Sequence, residues 1–508
     1  MYKSLVMGAV AQQFLSLAII LLVTRLLGAE GYGEIVTLTA VATTTFCFSA
    51  QWAVPYMVRT ESVNYSKTHK IGSAFFIPIL ISLCILLVVT YLITHNFSDM
   101  FGGYGAIPAP MIYISALGQF IFQMAKTGLQ IQGRFSYYGT ILWLDKAILL
   151  IIIGGLFLFN LLTVISVLWA YVAGVMLAGL VGLGVCLNRR IDWANDSFLF
   201  EDYVKSVAPI SASVAILYFS SIAFLTLIGR EAGGAQFAAW LGIGSVLLGV
   251  LLQPFSWLTP ILAPKLSKDV LEANGHARIS SFLQNWMLPS NLIILWVAVC
   301  TATLILVTPI LSLLFGNGFQ GGAAVVALVI LLAAAEAGNM LLVQIAYARK
   351  LETLVMVAVL LKAMPLLIGY AFDASLEINL VLLNLGSWLL IGISLLGIRS
   401  YLERKWVLQY AALGVTALLV SVMVVMPHGK WFLGGILIVI SLPAIRFLQQ
   451  MLRMVGLGVL QPKTEISSLG YKSPMQLLRD LEEINTGSMN LQTKNFGANI
   501  NVKSSKKT

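Results

Sequence analysis

Two lysines lie deep within apolar segments of the sequence, at similar distances from two short turns. Lys146 lies eleven residues after a turn centred near residue 135, and Lys362 lies about as far after a turn near residue 350. If both segments are membrane-crossing helices, a rise of ~1.5 Å per residue places both lysines ~16–18 Å deep, near the bilayer midplane. An ionised side chain at that depth costs ~2.5–3.5 kcal/mol on insertion scales, so each lysine is expected to have a structural or functional role. Two such charges favour binding of an anion.

Amides and further charges accompany the first lysine. Gln119, Gln123 and Lys126 precede the turn near residue 135, and Gln123 reaches the depth of Lys146. These four residues are therefore candidates for binding a ligand. Asp145 directly precedes Lys146 in the chain and could pair with a group on a neighbouring helix or take part in ion coupling.

A carboxylate lies at a depth similar to that of the second lysine, because Glu336 precedes the turn near residue 350. In one interpretation, Lys146 and Lys362 face each other across a cavity ~10 Å wide. The two charges then repel by ~1–2 kcal/mol at an effective dielectric constant of about 20, and an entering dianion would relieve this repulsion. In the other, Lys362 pairs with Glu336 across its hairpin and joins the two helices. Glu336 could instead bind a coupling proton or Na⁺.

The composition identifies the class of protein that must position these residues. Of the 508 residues, 59% are hydrophobic and 10% are charged, and the mean hydropathy is +0.91, whereas a soluble domain carries about 25% charged residues. The chain is therefore predicted to be an all-α polytopic membrane protein. The net charge of +10 is expected to reflect basic residues at one membrane face, not nucleic-acid binding. The four cysteines lie singly in apolar runs, so no disulfide, metal site or cofactor is predicted.

A membrane span needs ~20 mostly apolar residues, and the chain contains about fourteen such runs. The predicted spans are 4–27, 34–58, 71–94, 108–131, 139–160, 163–187, 205–228, 236–262, 286–310, 322–347, 352–372, 375–398, 407–426 and 430–450. Loops after even-numbered spans carry nearly all of the loop lysines and arginines, so the positive-inside rule places these loops and both termini in the cytoplasm.

A degenerate repeat relates the two halves of the chain. The residues Leu26, Gly28, Glu30 and Gly33 recur after a shift of 201, beginning at Leu227. A later stretch aligns after a shift of 216, which pairs Lys146 with Lys362. Shifts that grow by small insertions are typical of duplicated bundles, and six spans per repeat unit make the repeat parallel.

The repeat predicts the domain organisation. Residues 1–190 form a six-helix N-lobe and residues 191–400 a six-helix C-lobe, with a substrate path between them. Residues 401–455 add two helices outside the repeat. Residues 456–508 form a polar cytoplasmic tail, mostly disordered, with a short amphipathic helix near 473–486.

Three arginines near span ends are further candidates. Arg25 closes the first apolar run at the outer face, and Arg230 lies near the corresponding turn of the second half. We expect Arg25 to contact an anionic ligand at a gate, with Arg230 on the same release side; the alternative for Arg25 is snorkelling to lipid headgroups. Arg59 ends the second span at the cytoplasmic side, where a substrate role competes with the ordinary preference for basic residues.

Two motifs give the chain a family resemblance. The opening TRLLGAEGYGEI resembles the first-helix signature of polysaccharide flippases, and FGNGFQGGAAVVALVILL at 315–332 resembles the same family's entry to the tenth helix. Arg59 stands where members of the family often have an arginine. The chain thus resembles Wzx-like O-antigen and polysaccharide repeat-unit flippases of the MOP superfamily, which also contains MurJ and the MATE exporters.

The resemblance implies a flippase in the bacterial cytoplasmic (inner) membrane. It would move a polyprenyl-pyrophosphate-linked oligosaccharide to the outer leaflet by alternating access, with the cationic cavity binding pyrophosphate and sugar hydroxyls. Membrane lipids, a polysaccharide polymerase and a chain-length regulator would be its partners. A MATE-like ion-coupled drug antiporter is the alternative, but it predicts an acidic cavity. An enzyme would need catalytic groups outside the membrane, and the longest outer loop, 95–107, has one carboxylate and one histidine.

Overall fold

The computed structural model describes residues 2–96, 107–188, 200–256, 309–348 and 351–397, together with residues 414, 420, 421 and 424. Most of the ninth predicted span, nearly all of the thirteenth and fourteenth, and the helix near 473–486 lie outside the described residues. The helices are α1 (Tyr2–Phe46), α2 (Ala53–Thr68), α3 (Ser73–Asn96), α4 (Ala109–Ile131), α5 (Phe135–Leu158), α6 (Val164–Leu187), α7 (Phe200–Phe219), α8 (Ile222–Ser256), α9 (Pro309–Phe315), α10 (Ala323–Leu331), α11 (Ala333–Ala348), α12 (Glu352–Ala371) and α13 (Leu376–Gly397).

The prediction of an all-helical, multi-pass membrane protein is confirmed. Within the described residues, eight helices are long and apolar enough to cross a membrane, or nine if α7 and the start of α8, bent by 43° at a short break, count as one span. The predicted spans 71–94, 108–131, 163–187, 352–372 and 375–398 match α3, α4, α6, α12 and α13 to within two residues. Long apolar runs between polar turns are the feature that single sequences reveal most directly.

The first predicted span and the beginning of the second form one helix, α1, which kinks at a single glycine; the second span then continues through a π-helical turn at Cys47–Gln51 into α2. Gly28 has φ 71° and ψ −173°, a conformation that is essentially restricted to glycine. α8 repeats this geometry at Gly234, with φ 73° and ψ −168°. The two kinks are 206 residues apart, so the predicted pairing of Gly28 with Gly229 is wrong. Gly229 is an ordinary helical residue whose missing side chain leaves room for Leu241 and Leu376.

The residues that immediately precede α5 and α12 make equivalent hydrogen bonds. The backbone N–H of Arg134 donates to the carbonyl of Leu129, and that of Leu351 donates to the carbonyl of Ala346, both at 2.9 Å. These equivalent residues are 217 apart, not 216 as predicted. Lys362 is therefore equivalent to Asp145.

Two glycines support this corrected register. Gly174 on α6 packs against the carbonyl oxygen of Asp145, and Gly386 on α13 packs against that of Lys362. The predicted equivalence of Lys146 and Lys362 is consequently wrong by one residue. On a helix with 3.6 residues per turn, one residue amounts to a rotation of about 100°.

The centre of the fold is the packing of α1 against α5 on one side and α8 on the other. At Gly33 the two kinked helices approach so closely that an added Cβ would overlap the carbonyl oxygen of Ala235. At the other end, Gly8 of α1 lies directly against Gly139 of α5. Small residues permit such backbone contact between membrane helices, and the space left between these contacts holds the site.

Candidate functional site

A cavity of about 280 Å³ lies between α1, α5, α6 and α8. Its wall is mainly apolar, with five hydroxyl side chains distributed around it: Ser16, Thr39, Thr43, Thr226 and Ser245. Of the described residues that line it, Lys146 alone carries a charge, and Tyr171 and Tyr32 add phenol groups. Mostly apolar walls with a few placed polar groups are typical of ligand sites.

Lys146 is held by the residue that precedes it. Its Nζ lies 2.8 Å from Oδ2 of Asp145, whose side chain is 4% exposed, against 22% for Lys146. The ring centre of Tyr171 is 6.0 Å from the same Nζ. Adjacent helix residues do not normally face each other, so this pairing depends on the long lysine side chain reaching back. The carboxylate partner that the sequence could not place for Lys146 is therefore its own neighbour.

Lys126 on α4 completes a group of three charges. Its Nζ lies 5.1 Å from the ring centre of Phe122, and the ammonium interacts electrostatically with both Asp145 and Lys146. Two lysines and one aspartate give this cluster a net charge of +1. Lys126, Gln119 and Gln123 all lie on α4 and are partly buried, but none of them lines the cavity.

Lys362 does not join this cluster. It is 4% exposed, and its Nζ lies 2.6 Å from Oε1 of Glu336, which also accepts a hydrogen bond of 2.8 Å from Ser387. The arrangement of two lysines facing each other across one cavity is therefore not what the structure shows. The one-residue difference in register explains this, because it turns Lys362 by about 100° relative to Lys146, toward α11 and α13.

Arg230 forms a bidentate ion pair that the sequence did not reveal. Its Nη1 and Nη2 lie 2.8 and 2.9 Å from the two carboxylate oxygens of Glu34 on α1, and Nη1 also donates to Thr37 at 2.9 Å. Bidentate arginine–carboxylate contacts are among the strongest polar contacts in proteins. The sequence analysis did not identify Glu34 as a candidate. The only indication in the sequence is its position as an acidic residue at the start of an apolar span.

Arg25 connects the same end of α1 to α9. Its Nε donates to the carbonyl of Leu314 at 2.9 Å, and Nη2 donates to that of Leu313. The arginine thus binds the free carbonyl groups at the C-terminus of a short helix, where a positive charge is favourable. Arg25 and Arg230 both join α1 to the second half of the chain at the Gly28 end of the cavity.

The other end of the cavity is joined by hydrogen bonds. Gln13 donates to Gln253 across α1 and α8 at 3.0 Å. Arg59 on α2 donates to the hydroxyl of Ser206 on α7 at 2.8 Å. Arg59 therefore bridges the two halves of the chain and does not line the cavity among the described residues.

The fold resembles those of solved membrane transporters. A mutant of the Vibrio cholerae MATE transporter VcmN matches with a TM-score of 0.56 and 15% identity, over 80% of this chain and 96% of that one. The lipid II flippase MurJ, in an inward closed conformation, matches with a TM-score of 0.55 and 13% identity, over 88% and 99%. A eukaryotic MATE transporter matches with a TM-score of 0.51 and 14% identity, over 82% and 96%.

No family model and no curated protein sequence matches the chain. The structural similarity at such low identity shows the fold. The chain therefore has the fold seen in these MATE transporters and in the flippase MurJ.

Proposed function

We propose that the protein is a flippase that moves a polyprenyl-pyrophosphate-linked oligosaccharide across the bacterial cytoplasmic membrane by alternating access. In this proposal, residues 1–190 and 191–400 are the two parallel six-helix lobes, residues 401–455 add two helices to give fourteen spans, and both termini are cytoplasmic. The tail at 456–508 stays in the cytoplasm. Membrane lipids surround the protein, and a polysaccharide polymerase with a chain-length regulator would receive the cargo.

The observation that carries this proposal is the placement of Lys146. It is the charged residue in the wall of a cavity between the two halves, and hydroxyl side chains occupy the same wall. A phosphate oxygen would receive a charge-assisted hydrogen bond from the ammonium, which contributes about 1.5–3 kcal/mol in a dry site. The hydroxyl groups can both donate to and accept from sugar hydroxyls.

The different contacts at the two ends of the cavity support alternating access. At the Gly28 end, which the proposal places outside, an ion pair and backbone contact hold α1 and α8 together. At the other end, which the proposal places in the cytoplasm, the described contacts between the two halves include the neutral pair Gln13 and Gln253 and the hydrogen bond from Arg59 to Ser206. The two ends are therefore held by different kinds of contact, as expected for two gates that open in turn.

The test uses a cell that lacks its own repeat-unit flippase but retains the cognate assembly enzymes. Wild-type protein, Lys146→Ala and the surface control Lys205→Ala are supplied, and surface glycan and inner-leaflet lipid-linked repeat units are measured. Lys205 is 70% exposed on α7, so its loss should not affect transport. Restored surface glycan with wild type and control, lost with equally expressed Lys146→Ala, supports the proposal. No rescue by well-expressed wild type contradicts it.

A MATE-like ion-coupled antiporter is the second candidate. The TM-scores for the Vibrio cholerae MATE transporter and MurJ are nearly equal, so the fold favours neither function. Asp145 also places a carboxylate directly behind the cavity wall. An antiporter for cationic drugs would export a fluorescent cationic dye from cells and would lose export in Asp145→Asn, whereas the flippase would not change dye efflux.

A further inference from the structure

The carboxylate of Asp145 is held in an unusual state. Oδ2 contacts the ammonium of Lys146, but Oδ1 is buried and has no hydrogen-bond partner among the residues that the structure describes. A buried ionised carboxylate normally has both oxygens satisfied. Lys146 thus supplies the direct ion-pair contact of Asp145 among the described residues, and Lys146 also faces the cavity.

Besides Lys146, the positive charge of Lys126 on α4 also interacts with Asp145, but Lys126 does not line the cavity. Lys146 on its own helix, Lys126 from α4 and Tyr171 from α6 interact electrostatically with Asp145. Tyr32 of α1 interacts with Tyr171 in turn. Neither phenol adds positive charge, so an anion that engages Lys146 competes directly with Asp145.

We propose that Asp145 takes up one proton when a pyrophosphate group binds Lys146, so that the cargo and a proton enter the cavity together. This inference depends on the flippase function proposed above. The proton comes from the water that fills the open cavity, and it is bound by the carboxylate of Asp145. The bond between Asp145 and the ammonium is exchanged for one between the phosphate and the ammonium.

Charge balance is the physical reason for the uptake. The cluster of Lys126, Lys146 and Asp145 has a net charge of +1, and a pyrophosphate diester carries two negative charges. Their sum is −1 without a proton and zero with one. In a largely apolar cavity an uncompensated charge is costly, and when two anions share one site, protonation of the weaker acid removes the repulsion between them.

Asp145 is thus a positioning and coupling residue that determines when Lys146 is available. In the empty cavity it occupies the lysine and prevents a lone ammonium from facing an apolar wall. When the cargo is present, neutral Asp145 can donate its proton in a hydrogen bond. Binding of the proton and binding of the cargo then favour each other to the same degree, as linkage requires.

The test measures the affinity of the full-length protein in detergent for a short isoprenyl pyrophosphate joined to N-acetylglucosamine. The pyrophosphate of this diester stays a dianion across neutral pH, so it contributes no proton of its own. Uptake of one proton predicts that Kd rises by about tenfold per pH unit over the range in which Asp145 is ionised in the empty protein and protonated in the complex. Calorimetry in two buffers of different ionisation enthalpy counts the proton independently on wild type.

The diagnostic variant is Asp145→Asn, which resembles the protonated carboxyl group in shape and charge. Its affinity should not depend on pH and should exceed that of wild type at the alkaline end. The matched control Glu201→Gln makes the same chemical change at a residue that is 79% exposed, and it should retain the wild-type slope.

The outcomes separate the two proposals. Binding by wild type that does not vary with pH, or a wild-type slope retained in Asp145→Asn, overturns the proton uptake and leaves the flippase intact. No binding by folded wild type at any pH contradicts the flippase and, with it, this inference. If Asp145→Asn does not fold, wild type that binds the probe without taking up a proton still overturns the inference.

Discussion

Arg230 on α8 holds both carboxylate oxygens of Glu34 on α1, at 2.8 and 2.9 Å. The side chains are only 7% and 16% exposed, so the charges compensate each other with little help from solvent. This contact joins the two halves of the chain at the Gly28 end of the cavity. Removing one partner of such a pair leaves an uncompensated charge and costs about 3–5 kcal/mol.

Glu34→Gln and Arg230→Gln should therefore each lower the thermal unfolding temperature, and the double variant should lose less than the sum of the two. Thermal unfolding in detergent measures all three variants. The exposed pair Glu201 and Lys205 is the control, because an exposed i,i+4 pair couples by only about 0.3–0.5 kcal/mol. Additive losses at Glu34 and Arg230 would show that the bidentate contact does not contribute to stability.

The kinks at Gly28 and Gly234 give a second prediction. An alanine at either position would meet no neighbouring atom within 4 Å, but its backbone would have to keep a φ above 70°. Gly28→Ala and Gly234→Ala should each destabilise the fold by about 1–3 kcal/mol from backbone strain alone. Gly154→Ala is the control, since Gly154 is also uncrowded but lies within helix α5, where alanine is favoured by about 1 kcal/mol.

The ion pair of Lys362 and Glu336 gives a third prediction. If the pair only joins α11 to α12, replacing both residues by apolar side chains should be tolerated, whereas either single replacement should destabilise by about 3–5 kcal/mol. Lys362→Met with Glu336→Leu should then support surface glycan in the rescue assay as well as wild type does. A double variant that is stable and well expressed but inactive would assign the pair a role in ion coupling or cargo binding.

The sequence predicted helices better than contacts. Span limits such as 352–372 follow from local hydrophobicity, and the structure has α12 at Glu352–Ala371. The predicted alignment of the two halves was wrong by one residue at Lys146 and Lys362. Both lysines are followed by alanine, so the two sequences match at a shift of 216 although the structures match at 217. The correct register depends on which residue faces a neighbouring helix, and a match of letters does not contain that information.

Long-range pairs were the least predictable part of the site. Glu34 and Arg230 are 196 residues apart, and nothing near either residue in the chain indicates the other. Arg25 binds backbone carbonyls at Leu313 and Leu314, which carry no side-chain signal at all. Arg25 and Arg230 both lie at the Gly28 end of the cavity, and their role at a gate or release side stays a prediction.

The closest approach of α1 and α8 gives the last prediction. A methyl group added at Gly33 would overlap the carbonyl oxygen of Ala235, and a backbone atom cannot move aside as a side chain can. Gly33→Ala should therefore separate the two helices at the Gly28 end and favour a state that is open there. Spin labels on Glu30→Cys and Glu231→Cys, both at exposed positions on these helices, measure the separation in a background without the native cysteines.

The distance distribution should shift to larger values by a few ångströms in Gly33→Ala, and surface glycan in the rescue assay should fall, because a transporter held open to one side cannot reload from the other. Gly184→Ala on α6, where an added methyl group meets nothing within 4 Å, should change neither readout. An unchanged distance distribution would mean that α1 and α8 absorb the methyl group by sliding past each other, and the Gly33 contact would then not control opening of this end.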